Sequence, residues 1–204
     1  LNQWNHYVCM YDQSNSKLVL FVNGKKYNET GFSGTLFPYS DVFYIGGNGG
    51  NYAAKVDIDE LKIYNYALSE GEVRQDYNQG MAAVMGQLSA NTGSTASGGS
   101  AAQEYCVPGS TDYCAPPVAE WNFEENTGAT AHDTSGNGND GTWYGSSIQH
   151  YAPGKYGSAG VFNGSDDYVD INNAFGQPNT ITISTWFKTS SNGIIFGQHN
   201  NVQP

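Results

Sequence analysis

What constrains this chain most is the rhythm of short apolar and aromatic runs, each broken by Gly, Asn or Ser. Thr180-Ile-Thr-Ile-Ser-Thr-Trp-Phe187 alternates cleanly, the period of a strand with one buried face. Lys17–Val22 is apolar on both faces and predicts a central strand, and Asn23-Gly24 after it predicts a type I′ hairpin. Trp4–Tyr11, Val42–Ile45, Asp57–Tyr64, Val118–Phe123, Ala159–Asn163, Tyr168–Ile171 and Ile194–Phe196 read as further strands. Twenty-six glycines among 204 residues suit an all-β protein with many tight turns. One short helix is expected near residues 69–78. Ser69 and Glu72 form a capping box there, Leu68 and Val73 a hydrophobic staple, and Gly80 stands where a C-cap belongs.

Charge and composition exclude several classes. The formal net charge is −11, and the eight Lys and Arg residues are scattered, so no nucleic-acid partner is expected. Aromatic residues at 14% against charged residues at 13% argue against disorder. No apolar run is long enough for a membrane-spanning helix, and no membrane insertion is expected. Residues 81–117 read as a Ser/Gly/Ala-rich linker. It ends in a loop flanked by Cys106 and Cys114, whose Pro108-Gly109 turn predicts a small disulfide and an oxidising, extracellular or cell-surface location. Cys9 is left over on a strand, where a buried free thiol is expected. Leu1 reads as loop before a strand and Pro204 follows the glycine-flanked apolar run Gly193 to Gly197; neither resembles a domain edge, which predicts a processed precursor or a window of a longer chain.

Four runs occur in order: Trp121-Asn-Phe-Glu124, His132-Asp-Thr-Ser-Gly-Asn-Gly-Asn-Asp-Gly141, Gly157 to Asp170, and Thr182 to Phe187. Together they resemble the N-terminal half of a laminin-G-like domain of the concanavalin A-like lectin/glucanase superfamily. Trp4-Asn-His6, Leu20 to Lys25, Tyr44-Ile-Gly-Gly47 and Ile58-Asp-Glu-Leu-Lys-Ile-Tyr64 resemble the C-terminal half. The resemblance implies an antiparallel β-sandwich of concanavalin A-like jelly-roll type. The halves stand in reversed order, 1–80 as a C-terminal half and 118–204 as an N-terminal half. This predicts a tandem array, or a unit completed by strand exchange with copies of itself or adjacent repeats. Specifically, Asp57–Tyr64 expects a partner like Val118–Phe123, more from a neighbour than from the same chain. A circularly permuted sandwich is the alternative.

Candidate sites follow. Asp133, Ser135, Asn137 and Asn139 put oxygen-bearing side chains at alternate positions of a glycine-rich loop, a pattern that suits calcium as well as a hydrogen-bonded turn. The resemblance implies a structural calcium near such a loop and adds Asp59 as a ligand from the other half. Asp166, Asp167 and Asp170 read as a solvated turn. No enzyme is expected. A glycosidase needs two carboxylates facing one cleft, yet strand alternation puts Asp57 and Asp59 on one face and Glu60 on the other. His6, His132, His150 and His199 fit no metalloprotease spacing. Trp143, Tyr144 and Tyr151 lie in a loop-rich stretch and are candidates for glycan contact. Trp4, Trp121 and Trp186 fall on strands and are expected in the core. Asn28 and Asn163 match the glycosylation pattern. The expected function is a non-enzymatic extracellular structural or adhesion module meeting glycans or surface proteins, with a lectin-like module as the alternative.

Overall fold

The computed structural model describes residues 2–32, 34, 42–47, 53–82, 115–171, 175 and 179–199. The strands are β1 (Asn5–Asp12), β2 (Lys17–Val22), β3 (Lys25–Gly31), β4 (Val42–Ile45), β5 (Lys55–Tyr64), β6 (Ala119–Trp121) and β7 (Thr130–Ala131). They continue as β8 (Gly141–Tyr144), β9 (Tyr151–Pro153), β10 (Ser158–Asn163), β11 (Tyr168–Ile171), β12 (Thr180–Thr189) and β13 (Phe196–His199). The helix is α1 (Glu70–Ala82).

Two sheets form the sandwich. The larger runs β3-β2-β1-β12-β5-β10-β9, with β6 also on β5, and the smaller runs β13-β4-β11-β8-β7. Each mixes strands from 1–80 with strands from 118–204, so both segments build one sandwich. The core between the sheets holds Phe43, Ile58, Leu61, Trp121, Phe162 and Ile171, among others.

The partner of Asp57–Tyr64 corrects an expectation. Leu61, Lys62 and Ile63 pair with Trp121, Glu120 and Ala119 of the same chain, so this edge is filled from within. The long β5 makes the arrangement possible. Its first half pairs with β10, its second half with β6, and β12 runs along its other side.

The alternation expected for Asp57-Ile-Asp59-Glu60 also fails. The β5–β12 register skips between Ser184 and Trp186, and Glu60 has φ +53°, a bulge that shifts the strand by one residue. Val56 and Ile58 face the core before it, Leu61 and Ile63 after it. The Glu60 carboxylate is thereby carried to the side of Lys62, with Oε2 3.5 Å from Nζ.

Local chemistry elsewhere follows the sequence. Asn23 and Gly24 both have positive φ, as a type I′ turn requires. Ser69 N donates to Glu72 Oε2 at 2.7 Å and Glu72 N to Ser69 Oγ at 3.3 Å, closing the capping box. Leu68 and Val73 pack together with Val8, Val19, Phe21 and Tyr64 in a second apolar cluster, where α1 covers the outer face of the larger sheet. The helix does not stop at Gly80 but continues to Ala82.

Candidate functional site

The loop Asp133–Asn139 is locked by hydrogen bonds. Asp133 Oδ1 accepts from Glu120 N (3.0 Å) and Ser135 N (2.9 Å), and Oδ2 accepts from Asn139 N (2.9 Å) and Asn139 Nδ2 (3.0 Å). Burial works against the charge, but the bonds from Ser135, Asn139 and Glu120 outweigh it and hold the carboxyl below its ordinary value. Asn137 and Asn139 turn their amide N–H groups to Val118 O, at 3.1 and 3.0 Å. The loop thus satisfies the side of β6 that faces away from β5. Four N–H donors engage the only charged group of the loop motif, the bonding of a hydrogen-bonded turn.

Asp59 stands in a different setting. It is fully buried, and its Oδ2 accepts from Lys155 N (2.8 Å) and Tyr156 N (2.9 Å). Its Oδ1 is buried without a partner. Burial is the main cause that pushes its carboxyl up to about 7; the two backbone bonds oppose this, and the charges of Glu60 and Glu124 add to it. Glu124 grips the same turn from the other side, accepting from Ser158 N at 3.1 and 3.2 Å. Gly157, at φ +48°, lies where a Cβ would crowd that carboxylate, so glycine is favoured there. Asp59 is the one proposed ligand that offers a calcium ion an unengaged buried oxygen. Among the described residues, no three His, Cys, Asp or Glu side chains gather into a metal-holding group.

The aromatic candidates divide. Trp143 and Tyr151 belong to the core: Trp143 Nε1 donates to Tyr151 OH (3.1 Å), which donates to Thr130 O (3.1 Å). Their stretch forms β8 and β9 rather than a loop, which removes both from glycan contact. Tyr144, an outward residue of β8, is 47% exposed. It stacks on Tyr168 at 5.1 Å, and Tyr168 meets Tyr44 edge-on at 5.6 Å, a row of tyrosines across three strands of the smaller sheet. Trp121 and Trp186 are buried as expected, whereas Trp4 is half-buried just before β1, under the Lys188 ammonium.

Asn163 is engaged as a turn residue. Its Oδ1 accepts from Ser165, Asp166 and Asp167 N, and its Nδ2 donates to Asp166 Oδ1 at 2.8 Å. An amide held this way is poorly placed for glycosylation, and the Asp166–Asp167 pair is part of the same turn. Asp170 lies apart from that turn, on β11, with one buried oxygen lacking a partner. Asn28 lies on β3, whose residues are all exposed. Cys9 is exposed rather than buried, in an apolar setting that raises its thiol pKa. Cys106 and Cys114 lie outside the described residues.

One cluster has no counterpart among the sequence candidates. Asp76 of α1 meets Lys62 Nζ at 2.9 Å and His6 Nε2 at 3.1 Å, and accepts a hydrogen bond from the Ser184 hydroxyl. Glu60 and Glu120 lie within 4 Å of the same ammonium. Burial opposes the Asp76 charge, but Lys62 above all, then His6 and Ser184, hold its carboxyl far below the usual range. The Lys62 ammonium is likewise opposed by burial and held above the ordinary lysine value by Asp76, Glu60 and Glu120. The three groups on β1, β5 and β12 tie α1 to the sheet. A lysine between the apolar Leu61 and Ile63 and an aspartate three residues after the buried Val73 were the signals for it.

No curated protein and no solved structure matches the chain. Residues 1–74, which supply β1 to β5 and the first turn of α1, match Laminin_G_3 of the Concanavalin A-like lectin/glucanases superfamily, so the chain carries a laminin-G-like segment within a concanavalin A-like β-sandwich.

Proposed function

We propose that the chain is a non-enzymatic, extracellular adhesion or structural module that acts by surface contact. The observation that carries this reading is the employment of its inner carboxylates. Asp133, Asp59 and Glu124 hold backbone N–H groups, and Asp76 holds a helix, so none of them faces a cleft as a free acid–base pair. The laminin-G-like segment supports an extracellular setting, and no helix among the described residues is long and apolar enough to cross a membrane. Strand exchange at β5 loses its argument, because that edge is filled.

A glycan-binding role is the second reading, favoured by the stacked pair Tyr144–Tyr168, with the buried Tyr44 behind it. A polysaccharide panel tests both readings. Retention without release of reducing ends is expected for the lectin-like role, with at least a fivefold loss in Tyr144→Ala. Adhesion to surface proteins without glycan retention favours the first reading, and catalytic release of reducing sugar sinks both. The oxidised location is checked by non-reducing mass spectrometry, which is expected to find Cys106 joined to Cys114; two free thiols there count against it.

Calcium belongs to this reading as a structural ion at Asp59, with backbone carbonyls and water completing its shell. Thermal melts at pH 8 are expected to shift upward with added calcium in the wild type and in Asp133→Asn, but not in Asp59→Asn. A wild type indifferent to calcium retires the ion.

A further inference from the structure

The two sheets of the sandwich do not end together. The smaller sheet stops at β13, while the larger continues through β1, β2 and β3. Between them, Cys9, Leu18, Leu20 and Ile183 on one side and Phe196 on the other line a trough of about 310 Å³. A second hollow of about 360 Å³ shares Cys9 and Phe196 and extends under Tyr7 and Phe187. Leu18 and Leu20 are only half-buried there, whereas Val19 and Phe21, on the opposite face beneath α1, are buried.

The other sheet edges among the described residues are blunted. β3 carries Lys25, Lys26 and Glu29, with Glu29 ion-paired to Lys17 and Lys26, and its register with β2 is broken by a bulge. β9 has three residues and ends in Pro153, and β7 has two. The outer side of β6 is occupied by the Asp133–Asn139 loop. β13, Phe196-Gly-Gln-His199, has no acidic residue, lysine or proline, and no described strand lies on its outer side. Ile195 O accepts from Gly46 N at 2.7 Å, so by strand alternation the backbone groups of Phe196 and Gln198 point away from β4. Among the described residues, an open hydrogen-bonding edge thus stands beside an apolar floor.

We propose that β13 and this trough accept an extended polypeptide strand from another protein, uncharged along its length and apolar at alternate residues. The inference rests on the contact-module reading above and names its partner. β13 supplies the backbone ladder, and Cys9, Leu18 and Leu20 receive every second side chain. Among the described residues no charged side chain lines the trough, although the chain as a whole carries −11. An acidic strand is therefore repelled without finding a counter-charge, and a neutral strand flanked by lysines is favoured.

The test uses the full chain and a short peptide of alternating Thr and Val flanked by Lys, with a proline-interrupted peptide and an Asp-flanked peptide as controls. The Lys-flanked peptide is expected to bind one to one and to slow alkylation of Cys9 several-fold, read by mass spectrometry of the Cys9 fragment. Both controls are expected to bind at least tenfold more weakly. Gln198→Pro removes an outward N–H without touching the β4 ladder, and Leu20→Glu charges the floor. Each is expected to weaken binding tenfold or more while the melting transition stays cooperative. If one variant fails to fold, the other carries the comparison. Binding indifferent to both, or absent in the folded wild type, overturns the proposal. So does self-association that Gln198→Pro abolishes, since it assigns the site to a second copy. Failure here alongside successful adhesion leaves the contact-module reading standing.

Discussion

Replacing Asp76 by alanine is expected to lower the stability of the chain by about 3–5 kcal/mol, the usual cost of stranding one partner of a buried ion pair. Lys62 would keep its buried charge with the more distant Glu60 and Glu120 beside it, at 3.5 and 3.8 Å. Ser184 would lose its acceptor, and His6 the carboxylate that faces it. The pH dependence has a definite sign. The Asp76 carboxyl is depressed in the folded state, so its contribution is present above the unfolded carboxylate value of about 3.9 and lost as pH falls below it. The Lys62 ammonium is raised, so its contribution is present below about 10.4 and lost as pH climbs past that value. Urea unfolding of wild type and Asp76→Ala from about pH 2 to about pH 12 checks both limbs. A difference under about 1 kcal/mol at pH 7 would show that the cluster behaves as a surface pair and that α1 is held by its apolar contacts alone.

Asp59→Asn is expected to act in the opposite direction. Without calcium, the wild type should lose stability between pH 4 and 7, because the folded carboxyl, at about 7, holds its proton far more tightly than the unfolded one. The full penalty above that window is on the order of 4 kcal/mol. Asparagine keeps an oxygen for the Lys155 and Tyr156 N–H groups and carries no charge to desolvate. The variant should therefore show a flat profile from pH 5 to 8 and exceed the wild type at pH 8 in a chelator. An unchanged slope in Asp59→Asn would mean that another group titrates in this window.

Both results concern β5, where the limit of sequence reading is clearest. Its strand character is legible in Asp57–Tyr64, but the bulge at Glu60 is not. That bulge depends on the register against β12, more than a hundred residues away, and on Thr185 Oγ1 donating to Asp59 O at 3.1 Å. The bulge then decides which carboxylates reach Lys62. Likewise, alternate oxygen-bearing residues in Asp133–Asn139 suit an ion or a turn equally well. The turn's bonds form because Glu120 N on β6 and Val118 O just before it require partners.

Local chemistry was determined by the sequence alone: the strand segments, the Asn23-Gly24 hairpin and the Ser69–Glu72 cap. Each depends on backbone preferences and side-chain bonds spanning only a few residues. Only the tertiary structure decided that 1–80 and 118–204 close one sandwich, that Trp143 and Tyr151 face inward, that Cys9 faces a trough, and that Lys62 finds Asp76. A strand's period tells that one face is buried. It cannot tell against what, because unpaired strand edges and apolar faces are satisfied by whichever distant segment the rest of the chain brings beside them.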